Sequence, residues 1–120
     1  EYVSPVTDAI DHNQYVVGNH IFQTNYRAGL RVLKIDDIST ASFTEVANFD
    51  IYPDDNDASF NGAWSNYPYF PSGFVVVSGI ERGLFVIAVN IDLDSDPSVP
   101  SISPTPVPGT ANGICFSGKN

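Results

Sequence analysis

Methionine is absent from this 120-residue chain, cysteine occurs once, and basic residues are scarce: five Lys and Arg stand against 14 Asp and Glu. Each shortage excludes something. A single thiol, Cys115, cannot close an internal disulfide, so it is left for pairing with another chain. The formal charge of −9 argues against nucleic acid as a partner, because phosphate binding needs clustered Lys and Arg. That charge suits solubility, or the binding of cations or basic partners. No apolar run approaches the roughly 18 residues of a membrane-crossing helix, so no membrane span is expected. With Glu1 in place of an initiating Met, the chain is expected to be a processed product or a piece of a longer one.

What is present favours strands. The chain is 42% hydrophobic, enough for a core, and its apolar residues are chiefly Val, Ile, Phe and Tyr. Its organising stretch is Ile21 to Ile35, with a weaker echo from Val75 to Val89. Gly83 follows Gly29 by 54 residues, and at that offset apolar residues coincide at Ile21/Val75, Phe22/Val76, Leu30/Leu84, Val32/Val86, Leu33/Ile87 and Ile35/Val89. Each copy reads as strand, Gly-containing turn, strand, which is hairpin chemistry. Both glycines are expected at positive φ. Internal repetition at about this period points to propellers and related arrays.

Ahead of and after the first hairpin the pattern continues. Strands are expected over 14–17, 20–25, 30–35 and 43–49, a meander of blade size, and again over 74–78 and 84–90. His20 is expected on a strand, facing polar surface. The one arguable helical window, 40–48, has too few apolar positions at helical spacing. The expected fold class is therefore all-β: antiparallel four-stranded propeller-like blades, about two repeats of an incomplete propeller over residues 1–91. An extended Asp/Pro/Ser/Thr-rich tail follows over 92–120, with five prolines between Pro97 and Pro108. Its Ser and Thr are expected O-glycan acceptors if the protein is secreted, and Ile114-Cys115-Phe116 is an apolar terminus expected to serve as a docking strand.

Asp50 to Ser72 reads as one long irregular connection, rich in proline, acid and aromatics. Loops of this length are uncommon unless functional or packed by their own side chains. Trp64, Tyr67, Tyr69 and Phe70 are expected to cover the core or a neighbour, and Trp64, Tyr67 and Tyr69 are also candidates for stacking on glycans. Asp11 and His12 form the best polar pair: a carboxylate beside a His can fix its tautomer for catalysis or ligand binding. A turn whose side chains satisfy loop backbone is the simpler reading. Asp54, Asp55 and Asp57, and again Asp92, Asp94 and Asp96, are oxygen clusters of the kind calcium takes. Pro97 stands where a calcium loop needs Gly, and solvated acidic loops are the simpler account of both. Glu81 and Arg82 are expected to form an exposed hairpin ion pair. No nucleophile elbow, P-loop, dinucleotide fingerprint or zinc spacing occurs, so no enzyme activity is expected.

Several segments resemble the LVIVD-repeat, choice-of-anchor B type β-propeller surface proteins. The resemblance lies in Asp11-His12-Asn13, in Asn25-Tyr26 with Ala28 to Leu33, in Ser59 to Trp64, in Tyr67 to Gly73, and in Ser78 with Ile80 to Val86. It spans about residues 11 to 89 and corresponds to the C-terminal part of a longer propeller. It implies an extracellular or cell-surface protein with variable C-terminal anchoring. Two blades cannot close a ring of roughly four to eight, so the open strand edges are expected to take further polypeptide: copies of this chain, as a filament where the contact is head-to-tail and does not close, or the remainder of a longer propeller. The expected role is structural assembly. The alternatives are a carbohydrate- or calcium-binding module, or a fragment of a propeller hydrolase using Asp11 and His12.

Overall fold

A computed structural model describes residues 7–91 and residue 93. The described residues form seven strands and no helix: β1 (Asn13–Val17), β2 (His20–Thr24), β3 (Leu30–Asp37), β4 (Ser42–Phe49), β5 (Ala63–Tyr67), β6 (Phe74–Gly79) and β7 (Gly83–Ala88). They build two antiparallel sheets, β1-β2-β3-β4 and β5-β6-β7, each in chain order. Accordingly, no helix among the described residues is long and apolar enough to cross a membrane.

Both copies of the repeat are hairpins in matching places. The first turn, Asn25 to Gly29, is closed by Asn25 N–H donating to Gly29 O (2.9 Å) and Ala28 N–H to Asn25 O (2.8 Å). In the second, Gly79 pairs with Gly83 around Ile80-Glu81-Arg82. Gly29 and Gly83 lie at φ +73° and +79°, the left-handed region that L side chains resist. Their surroundings differ. A Cβ on Gly29 would sit 2.2 Å from Phe49 O, on the chain leaving β4, whereas a Cβ on Gly83 would meet nothing within 4 Å. The first hairpin has a neighbouring strand over its flank; the second has none among the described residues.

The sheets pack face to face. Phe22, Leu30 and Val32 from the first meet Val75, Val77 and Phe85 from the second, with Val17, Ile51 and Ala63 closing the cluster. Burying each large apolar side chain contributes roughly 1.5–3 kcal/mol. Alternation along β6 and β7 sends Val75, Val77 and Phe85 inward and Phe74, Leu84 and Val86 outward, which is what period-two side-chain geometry requires.

Two expectations are corrected. The stretch 50–72 is not wholly irregular, since β5 runs through it and opens the second sheet. Its sequence, Ala-Trp-Ser-Asn-Tyr, lacks a β-branched residue and stops before Pro68. A bulge between Ala63 and Ser65 also breaks its alternation. His20 is on a strand, as expected, but is buried at 4% exposure rather than facing polar surface. It lies on the face of β2 that carries Phe22 and covers the second sheet. The second sheet has three described strands, not four. The place equivalent to β4, together with the Pro-rich tail, Cys115, the 114–116 segment and Asp92, Asp94 and Asp96, lies outside the described residues.

Candidate functional site

Tyr26 is the joint between the sheets. It sits at φ +39°, rare for an aromatic residue, and its carbonyl accepts from both Gly29 N–H (3.1 Å) and Ala63 N–H (2.7 Å). One acceptor thus ties the first hairpin's turn to β5. Gly62 must be glycine for this approach, because a Cβ there would lie 2.4 Å from Tyr26 O.

His12 packs against this joint. Its ring centroid is 4.8 Å from that of Tyr26 and 4.8 Å from that of Trp64. Nδ1 lies 2.7 Å from Trp64 O, and a carbonyl can only accept, so Nδ1 carries the proton. The neutral ring then has its lone pair on Nε2. Phe60 completes the group, edge-on to Tyr26 at 5.3 Å. Asp11 does not orient His12. Its carboxylate turns to Asn25, accepting from Nδ2 at 2.5 Å. Burial raises the Asp11 carboxyl above its ordinary value, and the Gln23 amide and the Arg31 charge only partly pull it back. The two members of the expected pair therefore serve different partners.

Charge elsewhere is locally matched. Arg27 donates from Nη1 to Asp55 (2.5 Å) and from Nη2 to Asn61 (2.8 Å), approaches Asp57 at 3.9 Å, and lies 5.0 Å over the Tyr52 ring. The Asp57 backbone N–H and the Arg27 guanidinium hold the Asp55 carboxyl below its ordinary value. Asp54 lies 3.7 Å from Arg82. The acidic loop is thus turned toward two guanidiniums, and among the described residues no three His, Cys, Asp or Glu side chains converge as a metal site would need. Glu81 does not pair with Arg82 as expected. It accepts instead from Asn61 Nδ2 (2.6 Å) and Gly62 N–H (2.9 Å), pinning the second hairpin to the Gly62 turn. In the first sheet, buried Arg31 is held by Glu45, whose other oxygen accepts from Asn48 (3.1 Å).

A second aromatic group runs Tyr15, Tyr69, Tyr67, Phe70. Tyr69 stands edge-on to Tyr15 (5.9 Å, 90°) and to Tyr67 (5.5 Å, 75°), and Tyr67 edge-on to Phe70 (4.9 Å, 68°). The Tyr69 hydroxyl donates to Val16 O (3.0 Å), which fixes the ring and shields the β1 edge. Of the two places expected for these rings, the core or a neighbour, they do not cover the core: Trp64, Tyr67, Tyr69 and Phe70 each remain 43–50% exposed.

The sheet edges differ sharply. β4 bears Ser42, Thr44, Glu45 and Asn48 and is broken by two register shifts against β3, devices that discourage strand addition. β7 has no charge, no proline and no bulge across six consecutive pairs with β6. Beside it the outer face offers Phe74, Leu84 and Val86, with Leu84 57% exposed. Sequence reasoning anticipated open edges without saying which. The signal was there, in the uncharged run Leu84 to Val89. It did not single out Tyr15, Tyr26 or Phe60 as site residues, because ring contacts between distant segments leave no local pattern.

No family model, no curated protein and no solved structure matches this chain.

Proposed function

We propose that this protein is a non-enzymatic structural or interaction module of the extracellular or cell-surface kind, working by β-sheet assembly. The observation that carries the reading is β7: among the described residues it is an edge of six residues, regular and uncharged, next to an outward face of Phe74, Leu84 and Val86. Unpaired N–H and C=O groups on such an edge accept another strand, and natural monomers blunt them. The other edges are blunted here, β4 by bulges and polar side chains, β1 by Tyr69, and β5 by its bulge and by Tyr26, His12 and Thr24, which bond the backbone of Ala63 and Trp64. Head-to-tail addition would need one of those, so the favoured contact is β7 against β7 of a second copy about a twofold axis. Such a contact closes on itself, giving a dimer rather than a filament. The two stacked meanders, each carrying one copy of the 54-residue repeat, support a blade-like use of the sheets, as the resemblance to LVIVD-repeat propellers implies.

Sedimentation equilibrium on the chain, from about 1 to 500 μM, tests this on the span where weak to moderate interfaces dissociate. Concentration-dependent dimerisation is expected, and Val86→Lys should abolish it while leaving the β-sheet circular dichroism intact. A chain that stays monomeric throughout sinks the proposal, as does association that Val86→Lys leaves unchanged.

A further inference from the structure

We propose that Asn61-Gly62 is a latent self-modification site: the Gly62 nitrogen can close on the Asn61 carboxamide to form a cyclic imide, and Glu81 holds that reaction off. Asn-Gly is the dipeptide most prone to this chemistry, because glycine leaves the attacking nitrogen unhindered. In the first step Gly62 N forms a bond to Asn61 Cγ, the Cγ–Nδ2 bond breaks, and the Gly62 proton leaves with the amide nitrogen as ammonia. Water then opens the imide at either carbonyl, leaving aspartate or isoaspartate at this position. The glycine cannot be exchanged for a more hindered residue, since a Cβ at Gly62 would lie 2.4 Å from Tyr26 O. The joint between the sheets therefore carries the reactive dipeptide by construction.

The polar groups that take part in the step are all engaged. Asn61 Oδ1 accepts from Arg27 Nη2 (2.8 Å) and Ser59 Oγ (3.1 Å). These donors draw charge from the carbonyl and would stabilise its oxygen as Cγ becomes tetrahedral. Glu81 acts the other way. One of its oxygens accepts from Asn61 Nδ2 (2.6 Å) and the other from Gly62 N–H (2.9 Å). Gly62 N must shed its proton to attack, and the anion so formed would face a carboxylate at hydrogen-bond distance, which opposes it. Burial pushes the Glu81 carboxyl up, but the Asn61 and Gly62 hydrogen bonds outweigh it and hold the carboxyl below its ordinary value. The opposing charge is thus in place at neutral pH. The site is activated at its oxygen and blocked at its nucleophile. That block lasts while the second hairpin stays docked: Glu81 sits in the hairpin's turn, and the adjacent Ile80 N–H donates to Gly62 O (2.9 Å). Once formed, isoaspartate lengthens the main chain by a methylene beside Gly62 and turns a second carboxylate on Glu81, so hairpin and joint loosen together.

The test ages the full chain at neutral pH. Peptide mapping by mass spectrometry follows conversion at Asn61 and, separately, at Asn112-Gly113, the other Asn-Gly in the sequence. Native wild type should convert Asn61 at least about tenfold more slowly than the same chain in urea, the factor that a single hydrogen bond to a charged group supplies. Glu81→Gln keeps the shape and removes the charge, so it should raise the native Asn61 rate by about the same factor and leave Asn112 unchanged. Conversion of Asn61 as fast in the native protein as in urea overturns the inference. A Glu81→Gln rate equal to wild type overturns it too, and a slower one makes Glu81 the base of the reaction instead of its block. The native-against-urea comparison needs no variant, so it decides the matter even if Glu81→Gln unfolds. The converted fraction, separated by its extra negative charge, should melt below the unconverted protein, and equal melting overturns the link to the joint.

Discussion

Alanine at the two repeat-related glycines separates backbone conformation from crowding. Gly29 and Gly83 share nearly the same φ, +73° and +79°, so the left-handed backbone penalty, about 1–2 kcal/mol, applies equally to both. At Gly83 nothing more is added, because no atom lies within 4 Å of the new methyl. At Gly29 the methyl would meet Phe49 O at 2.2 Å and Asp50 Cα at 2.8 Å. Both are backbone atoms that move only if the chain leaving β4 moves, and overpacking of this sort adds about 1–3 kcal/mol or more. For a domain of this size each kcal/mol shifts Tm by about 4–8 °C. Gly83→Ala should thus lower Tm by about 4–16 °C, and Gly29→Ala by at least about 4 °C more than that. Assembly reverses the ranking. A strand paired along all of β7 would flank Gly83 as the β4 end flanks Gly29, so Gly83→Ala should weaken the dimer by roughly 5- to 150-fold, the equivalent of about 1–3 kcal/mol. Differential scanning fluorimetry at low concentration and sedimentation equilibrium read the two effects apart. Equal losses of Tm at the two sites would refute the crowding account. An unaltered dimer in Gly83→Ala would refute the β7 contact.

Two further outcomes concern pH. Burial raises the Asp11 carboxyl above 3.8, so the folded state binds its proton more tightly than the unfolded chain. The stability this lends is complete below the unfolded value and is lost as pH rises through the folded one. Asp11→Asn, which keeps an oxygen for Asn25 Nδ2, should therefore be more stable than wild type in urea at pH 7 and match it near pH 3. A constant difference across that range would show that the charge is not responsible. Asp55 has the opposite sign: its depressed carboxyl contributes stability above 3.8 that fades as pH falls through the folded value. Asp55→Asn should lose stability at pH 7 and converge with wild type as pH falls below 3.8 through the folded value, and a gap that does not narrow in acid would contradict the role of the Asp57 N–H and Arg27 contacts.

Six of the seven strands were legible because Val, Ile, Phe and Leu recur around Gly turns, and the offset of 54 residues gave the two hairpins together. β5 was hidden by its composition and its bulge. The error over His20 has a related cause. β2 is an interior strand whose Phe22 and Gln23 are both buried, so both faces are covered and alternation no longer marks inside from outside. At the site, Asp11 and His12 stood out as an adjacent polar pair, yet sequence neighbours on an extended chain point apart. Their partners, Asn25 and Trp64, lie 14 and 52 residues away respectively. The half-exposed rings could be named in advance, but their mutual angles could not.

The double acceptor at Tyr26 also orders events during synthesis. Its two donors arrive at very different separations, Gly29 three residues on and Ala63 thirty-seven residues on. Local hairpin closure takes about 1–10 μs, so the near bond is made long before Ala63 has left the ribosome at about 5–20 residues per second. The first meander can thus mature as a template that later receives β5, and a lesion in the Asn25–Gly29 turn will show itself as failed recruitment of the downstream sheet.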